Sequence, residues 1–157
     1  MKPIVYIETS FISFLTARPA RDTIVAAHQK LTHRWWDERS ERFELVVSEL
    51  VRREASGGDP DAARARLSAI DRLAILPASD AAADLAERIV QEGLIPRESA
   101  ADALHIAIAA VNGVDYLLTW NCKHLANAAH RNRIEDLVGE AGYECPVICT
   151  PEELMEE

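Results

Sequence analysis

Short apolar runs alternate with longer amphipathic ones along this chain. "PIVYI" (3–7), "FELVVS" (43–48), "LAILP" (73–77), "VDYLLTW" (114–120) and "PVICT" (146–150) are brief and rich in β-branched or aromatic residues, as buried strands are. The first strand leads into a short helix from Ser10. A helix over about 20–40 follows, with Ile24, His28, Leu31 and Trp35 on one stripe. Ser48 is placed to cap "ELVRREAS" (49–56), and Asp59-Pro60 opens a helix over about 60–71. Ser79 starts another that stops at Gly93, and "PRESAADALHIAIAAVNG" (96–113) holds one with Ser99 near its start and Asn112-Gly113 at its end. A helix over about 122–139 and a helical turn at 151–156 complete the pattern.

Strands that alternate with helices imply an α/β fold, a three-layer α/β/α domain with a mostly parallel central sheet. In such sheets ligands gather outside the carboxyl ends of the strands, where strand order reverses. With 157 residues, the expectation is a single domain over 1–157, large enough to bury close to 70% of its unfolded surface. No apolar run approaches the roughly 20 residues of a membrane helix, and no basic segment precedes a signal-like core, so a cytoplasmic protein without membrane association is expected.

Against this plan, three carboxylates stand out. Glu8 follows the first strand directly, with Thr9 and Ser10 beside it, and Glu49 follows the second. Each suits a helix dipole on its own, but two strands of one sheet deliver both acids to the same expected edge. Asp102 lies in S-A-A-D-A-L-H-I-A-I-A-A-V (99–111), apolar apart from Ser99, Asp102 and His105. A helix of that composition is buried on most sides, where a lone carboxylate is costly unless paired or bound to a cation. His105, three residues on, either orients Asp102 or sits as a satisfied core histidine; the second is favoured over direct ligation. After the fourth strand, "TWNCKHL" (119–125) brings Thr119 and Asn121 to that edge, Asn121 as a neutral oxygen donor or as a helix cap.

Charge and cysteine content narrow the chemistry. The net charge of −9 disfavours non-specific coating of nucleic acid, which runs on phosphate neutralisation by Lys and Arg, yet a carboxylate site that takes up metal can still attract phosphate. Residues 121–134 contain Lys123, His124, His130, Arg131 and Arg133 and no acid, a candidate phosphate track. A zinc site from Cys122, His124, Cys145 and Cys149 is disfavoured. In an extended "CPVIC" the two thiols lie about 13 Å apart at roughly 3.3 Å per residue, and zinc holds sulfur at about 2.3 Å. Carboxylates with an amide oxygen suit Mg²⁺ or Mn²⁺, and the reaction such a site supports is phosphodiester hydrolysis. Glycine-rich phosphate loops and a serine elbow are missing from the sequence.

These residues resemble the PIN domain, and within it the VapC-type toxins of toxin–antitoxin pairs. "IVYIETSFISFL" is similar to the family's opening strand and turn, "VVSELVRRE" to its second strand with a glutamate, and "AADALHIAIAAVNGVDYLLTWNCKHL" to its aspartate helix and the following strand. The resemblance implies a Mg²⁺- or Mn²⁺-dependent endoribonuclease, dimer formation, and neutralisation by a cognate antitoxin. It places Glu8, Glu49 and Asp102 as metal ligands. Asn121, or His124 if the alignment shifts, takes the fourth acidic position. Thr9, Ser10, His105, Thr119, Lys123 and His124 then support the ligands or touch RNA. Two departures stand out: Glu8 replaces the usual Asp, and the fourth acid is missing. The alternatives are a PIN-like binding module with weakened catalysis and a metal-dependent phosphohydrolase of small esters.

Overall fold

A computed structural model describes residues 1–155. Its centre is β1 (Ile4–Ile7), whose Val5, Tyr6 and Ile7 are fully buried. β2 (Glu44–Ser48) and β4 (Tyr116–Leu118) flank it, with β3 (Ala74–Leu76) and β5 (Val147–Cys149) outside them. The order is β3-β2-β1-β4-β5 and every pairing is parallel. The chain builds outward from β1 to β3, then returns to the other side of β1 with β4. Strand order therefore reverses between β1 and β4, and the crevice of this α/β sheet opens at their carboxyl ends.

Helices cover both faces. On one side, α1 (Thr9–Thr16), α2 (Thr23–Glu38), α3 (Glu49–Ala55) and α4 (Pro60–Ile70) pack among themselves; α5 (Asp80–Gln91), α6 (Ala100–Val111) and α7 (Ala128–Glu140) do so on the other. This grouping is what right-handed crossovers between parallel strands produce. The architecture is a three-layer α/β/α fold, with the sheet wholly parallel. α6 is buried along most of its length from Ala103 to Ala110, as its all-round apolar sequence requires. Gly113 ends it at φ 69°, a left-handed conformation that suits glycine.

Several elements depart from the sequence pattern for local reasons. α2 begins at Thr23 rather than near 20, because Asp22 caps it by accepting from Val25 N and because Gln29 holds the preceding loop through Ala20 N and Arg18 O. The stripe of α2 is also rotated: Gln29, Thr32 and Trp35 are buried while Ile24 is 69% exposed. Two polar side chains go inside because each finds a partner, Thr32 Oγ1 accepting from Trp120 Nε1 at 2.7 Å. Between β4 and α7 the chain makes a turn instead of the helix expected from 122. Asn121 Oδ1 accepts from His124 N, and Asn127 starts α7 by accepting from Ala129 N. After β5, the end of the chain turns back at 151–154, and Leu154 O accepts from the Trp35 indole at 3.2 Å. Residue 156 of the expected terminal helical turn lies outside the described residues. Among the described residues no helix is long and apolar enough to cross a membrane.

Candidate functional site

At the crevice the sequence delivers its first carboxylate with no freedom to turn away. Side chains alternate along a strand, so Tyr6 and Glu8 leave β1 on one face, and Ser48 leaves β2 on the same face. Glu8 is 5% exposed. Its Oε2 accepts from Ser10 N at 3.0 Å, making it the N-cap of α1, and its Oε1 accepts from the hydroxyls of Ser10 and Thr119, each at 2.5 Å. Thr119 comes from the end of β4, and its Oγ1 also accepts from Asn121 N. Ser10 Oγ accepts from Trp120 N at 2.9 Å. A buried carboxylate is stabilised here by donors from the start of α1 and from the end of β4, on either side of the switch point.

The second carboxylate at this place is Glu54, in the last turn of α3. Its side chain is 33% exposed, and its Oε1 accepts from Thr9 Oγ1 at 2.5 Å and lies 2.8 Å from His105 Nε2. Burial pushes its pKa up, but the hydrogen bond and the charge of His105, the hydrogen bond from Thr9 and the charge of Arg53 outweigh it and hold the carboxyl below its ordinary value. His105 is fully buried, with Nδ1 2.6 Å from the Tyr6 hydroxyl and Nε2 3.9 Å from Glu8 Oε2. Tyr6 lies 2.7 Å from Ser48 Oγ, which accepts from Val51 N. Burial drives the Tyr6 pKa up, with help from the charges of Glu8 and Glu54 and against the hydrogen bond from Ser48. The phenol therefore stays protonated. Donor atoms of Glu8, Glu54 and His105 all lie within 4.8 Å of one another.

The remaining sequence candidates are placed as follows. Glu49 is exposed at the first position of α3, and its Oε2 accepts from Ala78 N at 3.2 Å, tying down the β3–α5 connection. It is not part of the cluster. Asp102, in the first turn of α6, pairs with His124 Nδ1 at 2.8 Å; the two side chains are 20% and 16% exposed. The hydrogen bonds of His105 therefore run to Tyr6 and Glu54, and Asp102 is oriented by His124. The Asn121 amide oxygen holds the backbone of His124 rather than facing outward. Lys123 is exposed on the same turn. The 121–134 track is interrupted, because Arg131 makes a two-pronged ion pair with Glu153 at 3.0 and 3.3 Å. Burial pushes the thiols of Cys145 and Cys149 up to about 12.

Glu54 is the site residue the sequence reading passed over, yet a signal for it exists. On α3 the buried residues are Leu50, Val51 and Ala55, and Glu54 lies four and three residues beyond the first two. It shares their face, whereas Glu49 does not.

No family model matches the sequence, and no curated protein matches it. Solved structures do. A chain of the Rickettsia felis VapBC2 complex, bound to a DNA fragment from its promoter, superposes with a TM-score of 0.60 at 16% identity, covering 94% of this chain and 98% of that one. VapC20 of Mycobacterium tuberculosis, a toxin that cleaves the sarcin-ricin loop, superposes with a TM-score of 0.53 at 19% identity, covering 76% and 92%. The chain has the fold of these VapC structures.

Proposed function

We propose that this chain is a divalent-cation-dependent endoribonuclease, the toxin of a toxin–antitoxin pair. One observation carries the reading: Glu8 and Glu54, 46 positions apart in sequence, meet at the switch point of a fold shared with an RNA-cleaving toxin. The donor set suits a divalent ion, since two carboxylates and an imidazole nitrogen lie within 4.8 Å of one another and two negative charges match one dication. A divalent ion held there would place positive charge against a phosphate oxygen and acidify a water.

The residues of the chain divide the remaining work. Ser10 and Thr119 fix the Glu8 carboxylate, and Thr9 fixes that of Glu54, so neither reorganises when charge arrives. Asp102 stands one helical turn before His105 and pairs with His124, and in this reading it serves as a third carboxylate of the site. Asn121 positions His124, and Lys123 supplies a positive charge near the path of the RNA backbone. In place of Glu49, which the sequence pattern suggests, this reading uses Glu54. A protein antitoxin that neutralises the chain and assembly as a homodimer belong to the same proposal, supported for the antitoxin by the VapBC2 complex.

Purified protein tested on RNA with Mg²⁺, with Mn²⁺ and with a chelator checks this reading. The expected outcome is cleavage with either ion, none with chelator, and a loss of about 10²-fold or more in Glu8→Gln. Turnover of small phosphoesters with RNA left intact would reject it.

A further inference from the structure

We propose that His105 itself ligates the divalent ion through Nε2, making the site a mixed nitrogen–oxygen one that prefers first-row transition ions to Mg²⁺. The inference rests on the cation-dependent reading above and concerns which ion the site takes.

Three observations support it. The first is distance. Ligands at about 2.1 Å from one octahedral ion stand about 3 Å apart when adjacent and about 4.2 Å when opposite. His105 Nε2 lies 2.8 Å from Glu54 Oε1 and 3.9 Å from Glu8 Oε2, within or close to both limits. Small shifts of these side chains let one ion replace the Glu54–His105 hydrogen bond. The second is charge. Glu8 and Glu54 already balance a dication, Asp102 is paired with His124, and a neutral imidazole adds a donor without adding charge. The third is the far side of the ring. His105 is fully buried and held edge-on to Tyr6, with ring centroids 5.8 Å apart at 73°. Its Nδ1 faces a hydroxyl that can either donate or accept.

That last point makes the imidazole available. With Tyr6 donating to Nδ1, the ring proton sits on Nε2 and points at Glu54. For Nε2 to bind metal, the ring proton must sit on Nδ1 and donate to the Tyr6 oxygen. The Tyr6 proton then turns to Ser48 Oγ, 2.7 Å away. No proton is gained or lost; the Ser48–Tyr6 pair exchanges one hydrogen-bond direction for the other. A partner on the opposite nitrogen is what metal-bound histidines use to fix their tautomer. Imidazole suits transition ions, whereas Mg²⁺ demands oxygen and keeps its waters.

Pulsed electron paramagnetic resonance of the Mn²⁺-loaded chain tests this directly. We expect one Mn²⁺ per chain with ¹⁴N modulation from a coordinated imidazole, absent in His105→Gln. Competition should show Co²⁺ and Mn²⁺ bound more tightly than Mg²⁺. Tyr6→Phe, which keeps the ring packing, should weaken Mn²⁺ about 10–100-fold. Bound Mn²⁺ without nitrogen modulation, modulation that survives in His105→Gln, or unchanged affinity in Tyr6→Phe would overturn the imidazole assignment and leave the cation-dependent reading standing. No uptake at millimolar Mn²⁺ would overturn both.

Discussion

Glu8 and Glu49 occupy the same place in the local grammar of the chain: each follows a buried strand and stands at the start of a helix. Their fates differ. Glu8 is 5% exposed and takes donors from two elements, while Glu49 is exposed and bonds to one backbone amide of a connection. The difference comes from what lies beside each strand end. β1 ends next to β4, across the reversal of strand order, so Thr119 and Trp120 close over Glu8. β2 ends beside β3, and its helix turns Glu49 outward while carrying Glu54, five residues later, back to the crevice. A strand-end acid becomes a site residue through its neighbours in the sheet, not through its own sequence position.

The largest expected effect separates the two glutamates of α3. Glu54→Gln should reduce RNA cleavage by about 10²-fold or more, while Glu49→Gln should leave it within about twofold and cost no more than about 0.5 kcal/mol of stability. Cleavage rates on one RNA substrate, with urea unfolding of each variant, measure both. A reversed ranking would return the second ligand position to Glu49.

An intermediate effect tests the closure over Glu8. Thr119→Val keeps the shape of the side chain but removes its hydroxyl, leaving a buried carboxylate one donor short. The expected cost is about 1–3 kcal/mol, seen as a lower urea midpoint at unchanged slope. The same change should also weaken metal uptake. Full stability in Thr119→Val would mean that Glu8 gains nothing from β4.

The smallest effect is in pH dependence. The Glu54 carboxyl is held below its ordinary value of 4.5, so its ionised form is favoured by folding. That contribution is fully present above about pH 4.5 and fades as pH falls through the lower folded value. Wild type and Glu54→Gln should therefore differ most near neutral pH, in metal-free buffer, and converge in acid. A gap that widens below pH 4.5 would contradict the hydrogen-bonded carboxylate described here.

Much of the fold was legible because burial and periodicity agree. The five apolar runs are the five strands, and the apolar segment around Asp102 is the buried α6. The pattern failed where polar groups find partners inside: Gln29 and Thr32 displaced Ile24 from the covered face of α2, since a satisfied amide or hydroxyl can be buried at little net cost. It failed again at 122–126, where Asn121 folds the chain into a turn before Asn127 starts α7. That Glu8, Ser10 and Thr119 meet at one sheet edge was readable from their places after β1 and β4. Glu54 was hidden by a seven-residue helix too short for its periodicity to stand out, and by a second glutamate at the more conspicuous position. The place of His105 between Glu8 and Glu54 was hidden too, because a lone histidine in an apolar helix looks the same in sequence whether it is a core residue or faces two carboxylates.

Calorimetric titration of Mn²⁺ into the wild-type chain, Glu54→Gln and Glu49→Gln tests most directly whether Glu8, Glu54 and His105 form one cation site. The expected result is one ion per chain in wild type and in Glu49→Gln, with binding lost or reduced at least tenfold in Glu54→Gln. Undiminished binding in Glu54→Gln, or its loss only in Glu49→Gln, would contradict the account.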